Sequence, residues 1–285
     1  MPELPDLVHV AAELRRVVRG QAIVGARVGD PVVLRLLIPV AFPEVLRGRR
    51  LLDVERRGHF LRFSLDQDLV MVVNAMLAGR FLLFEKRPER LPKATILALS
   101  FAGGAELAYT DEMRMGKIYL ARLAQEGEIP GYCALGVDLL SLDFTLEHFR
   151  KLIRGRRDQV RQFLLDKTAL ASIGNAYADE ILFAARIHPK TFCHKLGPQE
   201  VDALFSAIGG TLKDAIAEIT RRGEPIDVKV RDFLAVRGRA RKPCPVCGTT
   251  LRKVRVGAAD ACFCPTCQPT DRKLFVDFRK LPGAR

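Results

Sequence analysis

The first residues of the chain, Met1-Pro2-Glu3-Leu4-Pro5-Asp6, offer an amine that could act as a nucleophile. Removal of Met1 would leave Pro2 with a free secondary amine. An α-amino group titrates at about 8, so part of it is uncharged near neutral pH. Attack of this amine on C1′ of a deoxyribose would form an iminium ion, which a secondary amine cannot discharge by losing an N–H proton. Pro2 is therefore a candidate catalytic residue for covalent chemistry on a sugar.

The iminium ion would act as an electron sink during the steps that follow. It can expel the base and acidify the C2′ proton, so that elimination cuts the strand on the 3′ side and, if repeated, on the 5′ side. Glu3 is adjacent to the amine and is the candidate acid that moves protons to the sugar oxygen or the leaving base. The alternative is that this stretch is only a rigid start to the chain.

Five of the seven cysteines fall within the last 42 residues, which indicates a metal site. Two C-x-x-C pairs are separated by sixteen residues, the spacing of a tetrahedral four-thiolate zinc site. The predicted ligands of one structural Zn²⁺ are Cys244, Cys247, Cys264 and Cys267. We interpret Cys262 as a spare thiol, because a C-x-C pair fits a zinc knuckle less well. Cys133 and Cys193 are isolated and are interpreted as ordinary thiols.

Between the two cysteine pairs, Leu251–Val256 alternates apolar and basic residues and predicts a hairpin with a cationic outer face. Together with the basic approach from Arg237 to Lys242, this pattern favours contact with DNA. A purely structural role for the ribbon is the alternative.

The segment Ala171–Asn175 lies between two helix-like segments. Gly174 permits a tight turn and Asn175 is a good N-cap, so the following helix would present free N–H groups to an anion. An ordinary helical corner is the alternative.

Charge and length limit the classes of partner. The chain has 285 residues and a formal net charge of +13, which favours a polyanion such as nucleic acid, or an anionic membrane. It has no run of 18 or more apolar residues, and its first residues do not resemble a signal peptide. We therefore expect a cytoplasmic, nucleoid-associated protein rather than a membrane protein.

The predicted secondary structure changes from strands to helices near the middle of the sequence. A helix-like segment, Leu7–Val18, precedes short strand-like runs that predict a β-sandwich or barrel with one packed helix. The strand-like runs are 51–54, 60–63, 69–73, 81–84 and 96–99. From Asp143 onward the periodicity is helical, and residues 126–140, with Gly127, Pro130 and Gly131, are the predicted linker. The predicted helices are 146–153, 159–170, 176–186 and 198–219.

Three motifs, in this order along the chain, resemble the formamidopyrimidine-DNA glycosylase and endonuclease VIII family. They are Pro2–Asp6, Ile173–Glu180 and the ribbon from Cys244 to Gln268. The resemblance implies an α+β enzyme that holds double-stranded DNA in a cleft and flips out the damaged nucleotide. The predicted units are a β-sandwich over 1–125, a linker over 126–140, a helix-two-turn-helix domain over 141–235 and a zinc finger over 236–285.

The resemblance also implies roles for individual residues. Pro2 resembles the family's nucleophile and Glu3 its proton-transfer acid. Asn175 and Arg114 match positions that bind DNA phosphates, and Arg161 replaces a lysine in the helix before the turn.

Several positions depart from the family pattern. His59 stands where the family usually has a catalytic or phosphate-binding lysine, and we expect it to titrate at about 6.5. Leu77 replaces a methionine that fills the gap left by the flipped base, while Met113 and Met115 replace an arginine and a phenylalanine. Ala259 stands where an arginine grips the phosphates that flank the lesion. Such losses of phosphate contact weaken electrostatic binding.

The leading hypothesis is a monomeric DNA-repair glycosylase and abasic-site lyase that acts on oxidised bases through β- or β,δ-elimination. The sequence leaves oxidised purines and pyrimidines open, and the fragment Asn74–Arg80 favours an endonuclease VIII-like or atypical branch. A protein that binds damaged or abasic DNA with little or no excision is the alternative, motivated by His59 and Ala259. A zinc-ribbon module in transcription is a third reading, but it leaves the N-terminal motif unexplained.

Overall fold

The computed structural model describes residues 2–39 and 41–270. The helices are α1 (Leu4–Val18), α2 (Phe42–Leu46), α3 (Leu146–Ile153), α4 (Val160–Leu165), α5 (Asn175–Ala184) and α6 (Pro198–Arg222). The strands are β1 (Ile23–Val28), β2 (Leu34–Leu36), β3 (Leu51–Arg57), β4 (Phe60–Leu65), β5 (Leu69–Asn74), β6 (Arg80–Phe84), β7 (Thr95–Phe101), β8 (Glu106–Thr110), β9 (Lys117–Arg122), β10 (Val137–Asp138), β11 (Leu170–Ala171), β12 (Arg252–Val256) and β13 (Ala259–Phe263). The last fifteen residues of the predicted zinc finger, 271–285, lie outside this description. None of the described helices is long and apolar enough to cross a membrane.

Two sheets pack face to face in the N-terminal half. One has the strand order β1-β7-β8-β6 and the other has the order β2-β9-β5-β4-β3. Neighbouring strands are antiparallel except that β2 runs parallel to β9. Alternate residues of β4, Leu61, Phe63 and Leu65, belong to the shared core, as the two-residue period of a strand requires. The predicted N-terminal β-sandwich with a packed helix is confirmed.

Helix α1 belongs to both halves of the protein. Its residues Leu7 and Leu14 pack into the sandwich core. Leu4, at the first helical position, lies instead in the core of the helical half. The helix starts earlier than the predicted Leu7–Val18 segment, because Pro5 is tolerated in a first turn, where its missing N–H costs no hydrogen bond.

The predicted linker, residues 126–140, packs against both halves. Arg56 Nη2 of the sandwich forms an ion pair with Asp138 and donates to both of its carboxylate oxygens at 2.6 Å. Strand β10 pairs in parallel with β11 of the helical half. The link is therefore held on both sides, which fixes how the two halves face each other. The domain limits themselves stay predictions.

The helices of the second half match the segments predicted from the sequence only in part. Helix α3 has the predicted bounds, and the Thr145 hydroxyl caps it by accepting a backbone N–H at 3.2 Å. The predicted helix over 159–170 is much shorter, since α4 ends before Asp166. The carboxylate of Asp166 accepts the Thr168 N–H at 3.0 Å and turns the chain toward β11.

Asp179 of α5 joins the helical half to the β12–β13 hairpin. Its fully buried carboxylate accepts hydrogen bonds from Arg161 Nε at 2.8 Å, from Arg237 Nη1 at 2.8 Å and from the Cys262 backbone N–H at 3.0 Å. A buried charge is tolerated only when it is paired and hydrogen-bonded. This carboxylate therefore requires the hairpin to dock on α5.

Replacing Asp179 with alanine should destabilise the fold by about 3–5 kcal/mol, because the change leaves the buried Arg161 without its partner. Chemical denaturation followed by circular dichroism would measure the loss. Asp202→Ala is the matched control, since Asp202 pairs with Arg150 at 2.6 Å in solvent and its loss should cost less than about 1 kcal/mol. Equal losses in the two variants would contradict the role given to Asp179.

Candidate active site and DNA interface

The N-terminal turn of α1 places Pro2 and Glu3 inside the protein, and both residues are buried. Glu3 is the N-cap of the helix, and its backbone N–H donates to Asp6 Oδ2 at 2.7 Å. That bond closes the first turn and fixes the backbone directly after Pro2. The predicted nucleophile and acid are thus adjacent in space as well as in sequence.

The side chain of Glu3 ends at the N-terminus of α5. Its carboxylate accepts backbone N–H groups from Gly174 at 3.1 Å, Ala176 at 3.0 Å and Tyr177 at 3.2 Å. A Cβ at position 174 would overlap the Glu3 side chain, so only glycine fits there. The corner is an anion site as predicted, but the anion that it holds is the protein's own carboxylate.

Burial raises the pKa of Glu3 above its ordinary value, against the backbone N–H donors and the Arg231 charge, which lower it. The environment therefore makes a proton easier to hold on this carboxyl group than on one in water. A carboxyl group whose pKa is raised by burial is better suited to donate a proton to a bound substrate than one in water, which fits the predicted acid.

Asn175 is exposed at the start of α5, beside the Glu3 carboxylate. The prediction that Asn175 caps this helix is wrong: Gly174 is the N-cap and Asn175 is the first helical residue. Arg161 Nη2 donates to Asn175 Oδ1 at 2.9 Å, which leaves the amide NH₂ to face outward as a donor. Arg161 itself is fully buried, so the structure places it behind Asn175 and not at the surface where DNA would lie.

His59 lies half-buried at the tip of the β3–β4 hairpin. Burial and the nearby charge of Lys167 lower the pKa of His59 to about 4. The expectation that His59 titrates at about 6.5 is therefore wrong, and the imidazole is neutral at pH 7. Lys167 was missed by sequence reasoning because it belongs to no motif and meets His59 only through tertiary structure. Burial also lowers the pKa of Lys167.

Two loops at one edge of the sandwich carry the other predicted DNA-binding residues. Strands β5 and β9 pair up to their loop ends, as do β6 and β8, so the β5–β6 and β8–β9 loops lie side by side. Gly79 and Gly116, one in each loop, pack against the hydroxyl of Tyr109 so closely that neither has room for a Cβ. The loops are thus anchored at a single point in the sandwich.

These loops expose three large apolar side chains to solvent. Leu77, Met113 and Met115 are 53%, 57% and 37% exposed. Arg114 is also exposed, with a positive φ of 53°, and it pairs with Asp30 at 3.0 Å. Exposed apolar groups clustered beside a cation are typical of a surface that binds a partner.

The segment that follows α6 faces the N-terminal turn across a cleft. A narrow cavity is lined by Pro2 and Asp6 on one side and by residues 226–229 on the other. A second cavity of about 420 Å³ shares Arg80 and Lys229 with the first and extends to Leu77. No sequence pattern marks residues 226–229, which contain no motif and no regular element.

The four predicted zinc ligands converge. The sulfur atoms of Cys244, Cys247, Cys264 and Cys267 all lie within 4.8 Å of one another. The Cys244–Cys267 and Cys247–Cys264 pairs are 3.8 and 3.4 Å apart. A tetrahedral ion with Zn–S bonds of about 2.3 Å requires S–S distances of about 3.8 Å, so the set fits one structural Zn²⁺. Cys262 is buried outside this group, as predicted.

Removing one ligand should abolish stoichiometric zinc binding. We expect about one Zn²⁺ per chain in the wild type and in Cys262→Ala, and loss of zinc with ribbon unfolding in Cys247→Ala. Elemental analysis of gel-filtered protein would measure the metal content. Zinc loss in Cys262→Ala, or full retention in Cys247→Ala, would contradict the assignment of ligands.

The neutral His59 should make the fold sensitive to acid. Because its folded pKa of about 4 lies below the ordinary 6.5, the unfolded chain binds the proton first, and the fold loses stability as pH falls from 6.5 toward 4. Between pH 7 and 5, His59→Gln should lose about 2 kcal/mol less unfolding free energy than the wild type. Denaturant melts at the two pH values would measure this difference, and parallel losses would contradict it.

Comparison with known proteins supports the same assignment along the whole chain. Residues 1–118 match the model of the formamidopyrimidine-DNA glycosylase N-terminal domain, and residues 135–223 match the H2TH domain of that protein. Residues 241–270 match a zinc finger found in FPG and IleRS.

Formamidopyrimidine-DNA glycosylases from Cytobacillus firmus and Moorella thermoacetica are 34% and 36% identical to this chain. The first alignment covers 94% of this chain and 100% of the relative, and the second covers 90% and 95%. Both relatives are formamidopyrimidine-DNA glycosylases, which favours that branch of the family over the endonuclease VIII-like branch that Asn74–Arg80 suggested. Lactococcus lactis Fpg, in a complex with an abasic-site-containing DNA, is 26% identical and superimposes with a TM-score of 0.84, covering 94% of this chain and 100% of that chain. The chain therefore belongs to the formamidopyrimidine-DNA glycosylase family.

Proposed function

We propose that this chain is a bifunctional DNA glycosylase and abasic-site lyase that uses Pro2 as nucleophile and Glu3 as proton-transfer acid. The observation that carries the proposal is the Glu3 carboxylate, buried beside Pro2 and held by three backbone N–H groups at the start of α5. A structural carboxylate at a helix N-terminus needs no adjacent secondary amine. The pairing of the two groups is what amine catalysis on a sugar requires.

In the proposed reaction, the neutral Pro2 amine attacks C1′ and the C1′–base bond breaks, and the base leaves with the N–H proton that the Pro2 nitrogen gives up. Ring opening gives an iminium ion, with the proton for the sugar oxygen supplied through Glu3. The Glu3 carboxylate, which has given its proton to the sugar oxygen, then accepts the C2′ proton, and the C3′–O bond breaks to release the 3′ phosphate. Hydrolysis of the iminium bond returns the amine. Whether a second elimination follows depends on the lifetime of that bond.

The proposed substrate is duplex DNA that contains a damaged base or an abasic site. The Asn175 NH₂, oriented by the buried Arg161, would donate to a backbone phosphate. Arg114 would bind a second phosphate beside the lesion. Leu77, Met113 and Met115 form an exposed apolar wedge that would fill the gap left by the flipped nucleotide.

Solved complexes of the related Lactococcus lactis protein support this class of substrate. That protein has been crystallised with DNA containing an abasic site, an oxidised pyrimidine or Fapy-dG. The range spans purine-derived and pyrimidine lesions, so the preferred base of the present chain stays open.

Lys167 is a further proposed component of the site. The neutral His59 carries no positive charge, whereas Lys167 brings a cation to its side from the turn that leads into β11. A lysine whose pKa is lowered by burial can bind a phosphate as a cation or exchange a proton, whereas a neutral imidazole offers a phosphate only an uncharged N–H donor.

A damage-binding protein with little or no excision is the second candidate. The neutral His59 favours it, because a permanent charge is absent where the family usually has one. Ala259, at the start of β13, also offers no cation at the hairpin tip. Retention of Pro2 and Glu3 argues against this candidate, since neither group is needed for binding alone.

Borohydride trapping on a duplex with one abasic site tests the proposal. Wild-type protein with a free Pro2, confirmed by mass, should form a covalent adduct. Pro2→Gly should reduce the trapped fraction by roughly two orders of magnitude, because the secondary amine and its fixed geometry are lost. Pro5→Ala, in the same turn, is the matched control and should still form the adduct. Tight binding without adduct or strand cleavage in the wild type would favour the damage-binding candidate.

A further inference from the structure

Arg231 stands between the two elements that carry the proposed chemistry. It lies in the segment after α6 and reaches back to α1, 225 residues earlier in the chain. Its Nη1 donates to Asp6 Oδ1 at 2.8 Å, and its Nη2 donates to Asp6 Oδ2. Asp6 in turn accepts the Glu3 backbone N–H at 2.7 Å. A chain of direct contacts therefore leads from Arg231 to the residue beside Pro2.

The same guanidinium also contacts α5. It lies over the ring of Tyr177, 5.1 Å from the centroid, and Nη1 is 3.4 Å from the Tyr177 hydroxyl. The Tyr177 backbone N–H is one of the three donors that hold the Glu3 carboxylate. Arg231 thus contacts both the turn that carries Pro2 and the helix end that holds Glu3.

We propose that Arg231 is a positioning residue that clamps the first turn of α1 to the start of α5 and so fixes where the Pro2 amine and the Glu3 carboxyl group meet the sugar. The inference rests on the proposed function. Arg231 acts through Asp6 and Tyr177, since it is itself three-quarters buried and directed inward.

Arg231 also links the turn that carries Pro2 to residues 226–229, which form the opposite wall of the cleft. Residues 226–229 line the cavity beside Pro2, and Arg231 follows them directly. Its Nη1 donates to the Val230 carbonyl at 2.9 Å, so the backbone of this wall is bonded to the group that holds the catalytic turn. Displacement of the wall would therefore move the Pro2 turn as well.

The charged and titratable groups that face Glu3 are Asp6 on its own helix, Tyr177 on α5 and Arg231. The Arg231 charge lowers the pKa of Glu3 and the Asp6 charge raises it. Loss of Arg231 should therefore move the Glu3 limb of the rate–pH profile to higher pH. A side chain that served only to stabilise the fold would leave that limb in place.

Single-turnover cleavage of an abasic-site duplex tests the proposal once the wild type is shown to form the borohydride adduct. Arg231→Met should slow cleavage by roughly 10- to 100-fold, the effect of a reacting group displaced by about 1 Å. The Kd for the same duplex should change less than about twofold. Arg231→Lys should restore part of the rate, because it returns the charge to Asp6.

Arg222→Met is the matched control. Arg222 pairs with Asp232 at 2.6 Å, lies over the Phe233 ring and is 25% exposed, against 24% for Arg231. It touches neither catalytic turn, so its rate and pH profile should equal those of the wild type. Equal loss of rate in the Arg222 and Arg231 variants would make the effect a general one of stability and would overturn the proposal.

Asp6→Asn is the second variant, for the case in which Arg231→Met does not fold. It keeps the shape of the side chain but removes the charge that Arg231 binds, and it should lower the rate with Kd unchanged. Full activity in Arg231→Met, or in Asp6→Asn where Arg231→Met does not fold, would show that Arg231 does not position the turn, as would a loss of affinity as large as the loss of rate. A wild type without adduct would instead refute the proposed function, which separates the two failures.

Discussion

The buried carboxylate of Glu3 is the constraint on which the remaining structure depends. A carboxylate removed from water must be hydrogen-bonded, and here the donors are the free N–H groups that begin helix α5. Their position requires a glycine at 174 and a helix that starts at Asn175. The requirement joins the first residues of the chain to a helix more than 170 residues away.

Helix α5 also carries two buried carboxylates, Asp179 and Glu180, that accept hydrogen bonds from other parts of the chain. Asp179 accepts donors from α4, from Arg237 and from the ribbon hairpin, and Glu180 accepts three consecutive backbone N–H groups of residues 235–237. The ribbon and the approach to it are thus bonded to the helix that also holds Glu3, the proposed proton-transfer acid. A Zn²⁺ bound by the four cysteines would hold the hairpin in the shape that presents the Cys262 N–H to Asp179.

Local patterns in the sequence predicted the elements whose determinants are local. The short runs rich in Val, Leu and Phe predicted five sandwich strands, the helical periodicity predicted α3 with its observed bounds, and the spacing of the cysteines predicted the zinc site. Strand β1 was missed because Gly25 and Ala26 interrupt its apolar pattern. Strand β9 was missed because its central apolar residues are flanked by Lys117 and Arg122.

The errors at the site have one cause in common, which is long-range pairing. Gly174, not Asn175, caps α5, because the capping carboxylate comes from Glu3. Arg161 is buried behind Asn175 because Asp179 neutralises it. Lys167 and Arg231 belong to no motif, and their partners are distant in sequence, so no window of residues could reveal them.

The distance between these partners in sequence has a consequence for the newly made chain. A ribosome that has released only the sandwich has exposed the N-terminal amine but none of the groups that hold Glu3 or Asp6, since those come from residues 174–177 and 231. The amine then belongs to an unfixed turn with no DNA-binding helix beside it. The proposed strand-breaking chemistry would therefore require nearly the whole polypeptide to be synthesised and folded, and a product truncated before residue 174 would lack the groups that hold Glu3 and Asp6.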